Sequence, residues 1–442
     1  MPLQCHPQLY PGKSAPVRPA HFDERYVLPE HQVFPLMEKN AHPLDSKMEF
    51  LEEPHVYLFD NVAIGESVTG MAHQYQSGFD GNSAIRMMKS SKKECWPRLK
   101  YAIGVKRVHD CSTIVPKNGV MLVCDGLTLA VSRPYDFDQI QGNELVENLK
   151  MLMIQPSFGK RSRNEPEVYT FERGMTDDEI KKSWEMNGLL ARNLGTEAHL
   201  QMQYMVEGQP FRMDPEVMVG IDILNKFPDE WIGYRCEWEI VFPEANLAGS
   251  IDLVIQHKET KNIIIVDYKR SEKLKSKLRG YSFMKEPMKH LDDADGVTYA
   301  LQLGIYQYVL EKKYGLTVED RILISLHPDN PFFTSVPYLE QEVHYMMESR
   351  IAKENALKDC PIRCPISDLA LANAVDVEGM ESSIDKKTAL AKGYTIKGED
   401  LVTIMLVNDW LNDNYVPIPL PDFTTKWKTI MPKDGLIPRV FI

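Results

Sequence analysis

The chain has 442 residues, 43% of them hydrophobic, which gives room for a sizeable core with embellishments and matches the composition of a soluble globular protein. No apolar run approaches the roughly 20 residues needed to span a bilayer. Residues 1–13 hold no signal-peptide core, and the seven cysteines without a regular framework fit a reducing compartment, so an intracellular protein of the cytoplasm or nucleus is expected, neither secreted nor in a membrane. A net charge of −12 excludes a uniformly basic surface, so a polyanionic partner would have to be met by local runs of lysine and arginine.

In chain order, residues 1–48 are rich in Pro and His and read as an extended or poorly ordered arm. Residues 55–64 suggest a hairpin with its turn near Asp60-Asn61, and Ser67-Val68-Thr69 leads into a basic segment expected to be helical. Between 86 and 107 eight basic residues, Lys89, Lys92 and Lys93 among them, stand against Glu94 alone. Residues 108–178 give no function, although Gly159-Lys160-Arg161-Ser162-Arg163 has the composition of an exposed basic loop. A helix is predicted over 179–206, carrying His199, followed by a strand over 234–242 in which Glu237 and Glu239 share a face.

Two further strands, 247–256 and 262–269, are rich in Ile and Val and flank the polar connection 257–261. They place Asp252 and the triplet Asp267-Tyr268-Lys269 one hairpin apart, with Asp267 and Lys269 on one face and Tyr268 on the other. A second basic run, 269–289, contains Arg270, Lys273, Lys275, Lys277 and Arg279 with Tyr281 and Phe283 available to stack on a base. A helix opening at Tyr299 aligns Gln302 with Tyr306, four apart on one face. A strand over 321–327, a helix over 338–358, a helical stretch over 398–412 and an extended segment at 416–421, suited to docking a protein partner, complete the chain.

Two aspartates and a lysine at adjoining strand ends suit phosphodiester cleavage with a hard divalent cation. Carboxylate oxygens and a backbone carbonyl near Tyr268 would hold Mg²⁺, leaving positions for water and a phosphate oxygen; Mn²⁺ tolerates an imidazole ligand better. Lys269 would orient or deprotonate the attacking water, with burial and the cation expected to depress its pKa.

Together these motifs resemble the RecB-like branch of the PD-(D/E)XK nuclease superfamily, which also contains lambda exonuclease and the CRISPR adaptation nucleases, over about residues 187–328. Gly195-Thr196-x-x-His199 resembles its helix motif with a metal-ligand histidine, Glu237 its strand carboxylate, and Gly249-Ser250-Ile251-Asp252 the motif of the first metal aspartate. Asp267-Tyr268-Lys269 resembles the (D/E)-x-K element and Gln302-x-x-x-Tyr306 the motif diagnostic of the branch. Glu239 remains open as the competitor of Glu237.

The resemblance implies metal ligation by His199, Asp252, Asp267 and the Tyr268 carbonyl, and catalytic roles for Lys269, Asp252, Asp267, Glu237, Gln302 and Tyr306. Some relatives carry an iron–sulfur cluster with three cysteines after the core; here only Cys360 and Cys364 follow it, so no cluster is expected. The expected fold is α/β, a restriction-endonuclease-like core with a mixed central sheet flanked by helices. Its divisions are an arm (1–48), an accessory region (49–178), the core (179–359) and a C-terminal extension (360–442). The implied activity is a DNA nuclease, with exonuclease action in replication, recombination or repair favoured. Structure-selective or nicking endonuclease action on DNA or RNA, and a non-catalytic nucleic-acid-binding protein, remain as alternatives.

Overall fold

The computed structural model describes residues 40–51, 56–90, 97, 99–104, 173–209, 211–360 and 409–441, together with the backbone of short strands between 106 and 170. The chain forms two compact units, Met1–Ser77 with Ala191–Ile442, and Gly78–Leu190.

The first unit is built on a mixed sheet of five core strands in spatial order β1 (Trp231–Phe242), β2 (Leu247–His257), β3 (Ile263–Lys269), β4 (Val318–Ser325) and β5 (Phe332–Ser335). Strands β1 to β3 are antiparallel, β3 and β4 run parallel, and β5 returns antiparallel to β4. Glu66–Ser67 adds a short parallel pairing at the start of β2. The run Ile263-Ile264-Ile265-Val266 is buried on both faces, as a central strand covered by two helical layers requires.

One face packs against α1 (Val68–His73), α5 (Asp295–Lys313) and α6 (Glu340–Lys358); the other packs against the second half of α3 (Asp177–Val206) and against α4 (Pro215–Leu224). Ser67 caps α1 by accepting from the Gly70 backbone N–H at 2.9 Å. In the second unit α2 (Gly81–Ser90) and the first half of α3 enclose Ile85, Tyr101 and Ile180, and Trp184 Nε1 donates to the Tyr101 hydroxyl at 2.9 Å. Thr176 and Glu179 exchange side-chain to backbone hydrogen bonds at the start of α3, a capping box that opens the helix two residues before the expected Glu179.

β1 and β2 exchange faces midway. Cys236 and Leu253 belong to the core beneath α3 and α4, yet Trp238 and Ile251, each two residues away along its strand, belong to the core beneath α5. Strict alternation would keep each pair on one face. The reversal falls at Glu237, whose φ of 42° lies in the left-handed region that a non-glycine residue adopts at a cost. The ladder pairs Cys236 with Leu253 and Trp238 with Ile251, so Glu237 and Asp252 stand at the corner between them.

Several expectations need adjustment. The arm does not extend to residue 48: Met48–Leu51 pairs with Val56–Phe59, and Asp45 accepts from Trp238 Nε1 at 3.0 Å and Arg235 Nη1 at 2.5 Å, which ties this stretch to β1. The expected turn lies at Asp60 and Asn61, both left-handed with φ of 50° and 63°, as a two-residue hairpin turn demands. Of the basic segment 86–107, the described residues are helical through Ser90, form a 3-10 turn at Leu99–Tyr101 and strands at Ala102–Ile103 and Lys106–Val108; residues 91–96, 98 and 105 lie outside the described residues. Strands Cys111–Ile114, Val120–Cys124 and Leu127–Val131 form a meander where no element was expected.

Of the C-terminal extension, residues 409–414 are helical while the rest of the expected stretch 398–412 lies outside the described residues. Trp427 and Met431 are buried in the core, and Leu436 bridges to Ser335 on β5. Val416 and Leu420, in the segment expected to dock a partner, are exposed.

Gly249 faces a close approach between two helices of this core. A Cβ there would lie 2.9 Å from Tyr306 Cε1 on α5 and 3.0 Å from the Val68 side chain on α1, both buried. Gly249→Ala is therefore expected to destabilise the protein by about 1–3 kcal/mol, the usual result of overpacking a filled core. Urea unfolding checks this; a wild-type midpoint would mean that α1 and α5 yield without cost.

Candidate active site

The β2–β3 ladder ends at Leu253 paired with Val266, one residue short of Asp252 and Asp267. The strands fork there, and the side chain of Asp252 takes up a backbone donor: Tyr268 N–H donates to Asp252 Oδ2 at 2.6 Å. The other oxygen, Oδ1, lies 3.4 Å from His199 Nδ1, which α3 delivers with its ring edge-on to Tyr268 at 5.8 Å between centroids. Glu237 reaches the same point from the corner of β1. Possible ligand atoms of His199, Glu237 and Asp252 lie within 4.8 Å of one another, the one such group among the described residues. Glu239 is not part of it; its charged neighbours are Asp45 and Glu49, because the face reversal at Glu237 separates the two glutamates.

Asp267 and Lys269 leave β3 on the α5 side, beside this trio. Lys269 Nζ lies 2.6 Å from Asp267 Oδ2 and 5.0 Å from the centroid of the Tyr299 ring. From α5, Gln302 Nε2 donates to Asp267 Oδ1 at 3.4 Å and to the Tyr306 hydroxyl at 3.3 Å. Asp267 Oδ2 is buried and, despite the nearby ammonium, receives no hydrogen bond of good geometry. Behind His199, buried Arg212 pairs with Glu197 of α3 at 2.5 Å and with Asp214 at 2.7 Å, and its backbone N–H donates to Gln201 at 2.7 Å.

These neighbours set the protonation states. Burial and the adjacent Asp252 push Glu237 up to about 8. Burial raises Asp267 to about 6, Lys269 opposing and Asp252 reinforcing the shift. Burial would raise Asp252 too, but His199 and Lys269 hold it below the usual carboxylate range. Burial alone would lower His199, and the Asp252 carboxylate overrides it, carrying the imidazole to about 9. Lys269 departs from expectation: burial does lower its pKa, but Asp267 and Asp252 outweigh burial and leave it raised, hence cationic.

This donor set fits a divalent cation. Two carboxylates and an imidazole converge at a fork in the sheet with Asp267 beside them, burial and the neighbouring Asp252 raise Glu237 and Asp267 above the ordinary carboxylate range, and Asp267 Oδ2 retains unused accepting capacity. Oxygen donors favour Mg²⁺ and the imidazole admits Mn²⁺.

The basic run after β3 is not one free cationic strip. Arg270 pairs with Glu216 at 2.8 Å, Lys275 with Asp434 at 3.1 Å and Lys277 with Asp295 at 2.6 Å, while Arg279 donates to the carbonyls of Lys428 and Met431. Lys273 is exposed. Lys89 pairs with Asp177 at 2.6 Å; Lys92, Lys93 and the loop 159–163 lie outside the described residues. Sequence reasoning missed Tyr299, although it lies three residues before Gln302 on the same helical face, and Ser250, which hydrogen-bonds Glu237. It also missed the Arg212 network, whose partners are scattered over 18 positions from Glu197 to Asp214 with no motif.

Residues 171–363 match the family model of the PD-(D/E)XK nuclease superfamily. No curated protein matches the chain. The matched segment holds His199, Glu237, Asp252, Asp267, Lys269, Gln302 and Tyr306, and in it the mixed sheet forks where the acid, acid and lysine meet. Residues 171–363 are a PD-(D/E)XK nuclease superfamily domain.

Proposed function

We propose that the chain is a divalent-metal-dependent nuclease of the RecB-like, lambda-exonuclease-like branch that hydrolyses phosphodiester bonds in DNA, acting as an exonuclease in replication, recombination or repair. The observation that carries this is the convergence of the His199, Glu237 and Asp252 trio with the Asp267–Lys269 pair at one fork in the sheet. His199, Glu237 and Asp252, with Asp267 and the Tyr268 carbonyl beside them, would hold the cation, which when bound polarises the scissile phosphate and lowers the pKa of the attacking water.

The remaining chemistry belongs to the chain. Lys269 is a cation held against Asp267, placed to donate to a non-bridging phosphate oxygen or to orient the water, and to offset charge that develops in the transition state. Gln302 fixes the Asp267 carboxylate and is fixed in turn by Tyr306, so α5 sets the rotamer of a residue on β3. The T-shaped contact of His199 with Tyr268 sets the imidazole plane.

End-labelled linear DNA and covalently closed circular DNA, incubated with the protein in Mg²⁺, test the reading. Cleavage of linear substrate from its ends with the circle left intact is expected; nicking of the circle would make the enzyme an endonuclease. Asp252→Ala, Asp267→Ala and Lys269→Ala should each lower turnover by about 10²-fold or more, as loss of a ligand or proton-handling group does, with circular dichroism unchanged. An Asp267→Ala protein that cut at the wild-type rate would remove this site from consideration.

A second expectation concerns pH. With Glu237 at about 8 against an ordinary 4.5, the metal-free folded state binds more protons than the unfolded chain between those values, so this residue makes stability fall as pH rises through that window. His199, at about 9 against 6.5, acts in the same direction: its contribution is present below 6.5 and is lost as pH rises through about 9. A cation requires both groups deprotonated, so its binding releases protons and strengthens with pH. The rise in Tm on adding Mg²⁺ or Mn²⁺ should be larger at the alkaline end of the range from pH 6 to 9, and calorimetry in two buffers of different ionisation enthalpy should reveal the released protons. A thermal shift independent of pH would contradict the assignment.

A further inference from the structure

The segment between β3 and α5 carries two aromatic rings that the fold leaves in water although the backbone beneath them is fixed. Tyr281 is fully exposed and Phe283 is 59% exposed. Phe283 pairs with Asp292 in a short antiparallel bridge, with Met284 N–H donating to the Leu291 carbonyl and Asp293 N–H to that of Ser282. Met284 turns into the core, whereas Phe283 and, two residues before it, Tyr281 face solvent.

The base is anchored from three directions. Trp427 Nε1 donates to the Leu278 carbonyl at 2.9 Å, the Lys285 N–H donates to the Tyr75 carbonyl at 2.8 Å, and Arg279 donates to two carbonyls of the C-terminal segment. Leu278, Met288 and Leu291 are buried, and a Cβ at Gly280 would lie 2.5 Å from the Asp293 carbonyl oxygen. Burying a phenyl ring ordinarily stabilises a fold by about 1.5–3 kcal/mol. Here every apolar neighbour turns in while two rings stay out on a fixed support.

The surrounding charge suits a phosphate backbone. Lys428 Nζ lies 6.0 Å from the Phe283 ring centroid, and Lys285 is exposed beside it. The acids nearby are engaged: Asp292 is buried and accepts from the Gly280 N–H, with Lys428 3.9 Å away; Asp293 accepts from the Ser77 N–H, Asp295 pairs with Lys277 and Glu286 with Lys289.

The support also abuts the active site. Gly296, at the start of α5, packs against Leu278 so closely that a Cβ would lie 2.6 Å from its Cα. One turn on, Tyr299 touches Lys269, and Gln302 follows at about 10 Å from Asp295 along the helix.

We propose that Tyr281 and Phe283 are a stacking platform for the unpaired bases of a single-stranded DNA segment running over the N-terminal end of α5 to the catalytic fork. A prearranged pair of rings flanked by ammonium groups binds single strands because every base has a π-face, whereas in a blunt duplex those faces are already stacked. The inference rests on the nuclease reading and names the strandedness of its substrate.

The test measures binding, not cleavage. Fluorescence anisotropy of a labelled oligothymidylate and of a blunt duplex is recorded with the full chain in Ca²⁺, for wild type, Tyr281→Ala, Phe283→Ala, the double variant and Tyr281→Trp. Each alanine variant should bind the single strand about fivefold or more weakly, the double variant weaker still, with duplex affinity unchanged and Tyr281→Trp near wild type. A double variant within about twofold of wild type on the single strand would overturn the proposal, as would equal losses on both substrates. So would sedimentation showing that the rings govern self-association while DNA affinity stays constant. Wild-type binding without any cleavage in Mg²⁺ would remove the nuclease reading and leave the platform standing, so the two failures are distinguishable.

Discussion

The crowding of three carboxylates at the fork between β2 and β3 is the constraint on which the rest of this unit depends. Glu237, Asp252 and Asp267 share a buried corner with only His199 and Lys269 as opposing charge. Burial, reinforced by the neighbouring Asp252, raises Glu237 to about 8 and Asp267 to about 6, so Glu237 holds its proton at neutral pH while Asp252 stays ionised between His199 and the Tyr268 N–H. Such a corner is costly in a fold, and it persists because the elements around it are overdetermined by packing.

Those elements are held by different means. β3 is fixed by burial of its Ile and Val side chains between two helical layers. α5 is fixed by close contact through small residues, Gly249 beneath Tyr306, Gly296 beneath Leu278 and Gly304 beneath Val343, so that Gln302 arrives at Asp267 with little freedom. α3 is fixed by a buried ionic network, Glu197 and Gln201 bound to Arg212, which is itself held by Asp214. Removing one member of such a network strands a buried charge, which is far more disruptive than never having had the pair. His199 lies two residues from Glu197, so the rigidity of that network is passed directly to the imidazole.

Much of this could be read from residues. The β2–β3 hairpin, the Asp-x-Lys alternation and the Gln302–Tyr306 helical face follow from local periodicity, and the structure places those side chains where the periodicity puts them. The choice between Glu237 and Glu239 could not follow from periodicity, because alternation assigns both to one face. A left-handed backbone at Glu237 breaks the alternation, and neither Cys236 nor Trp238 beside it announces such a kink. The ion pairing of the basic run was hidden for another reason: Glu216, Asp295 and Asp434 lie 54, 18 and 159 positions from their partners, and a count of local charge does not see them.

The corner also depends on residues outside the segment that matches the superfamily. Asp45 accepts hydrogen bonds from Arg235 and Trp238, the residues two before and one after Glu237, and Arg235 stacks over the Trp238 ring at 4.8 Å. Val68 closes the space over Gly249, and Glu66–Ser67 pairs with the start of β2. The backbone of Glu237 is thus clamped on both sides by a segment nearly 200 residues earlier in the chain, with 190 positions between Asp45 and Arg235. A strained φ held by long-range contacts is stable only while those contacts are made, so the geometry of the Glu237 carboxylate is a property of residues 40–77 as much as of the strand that carries it.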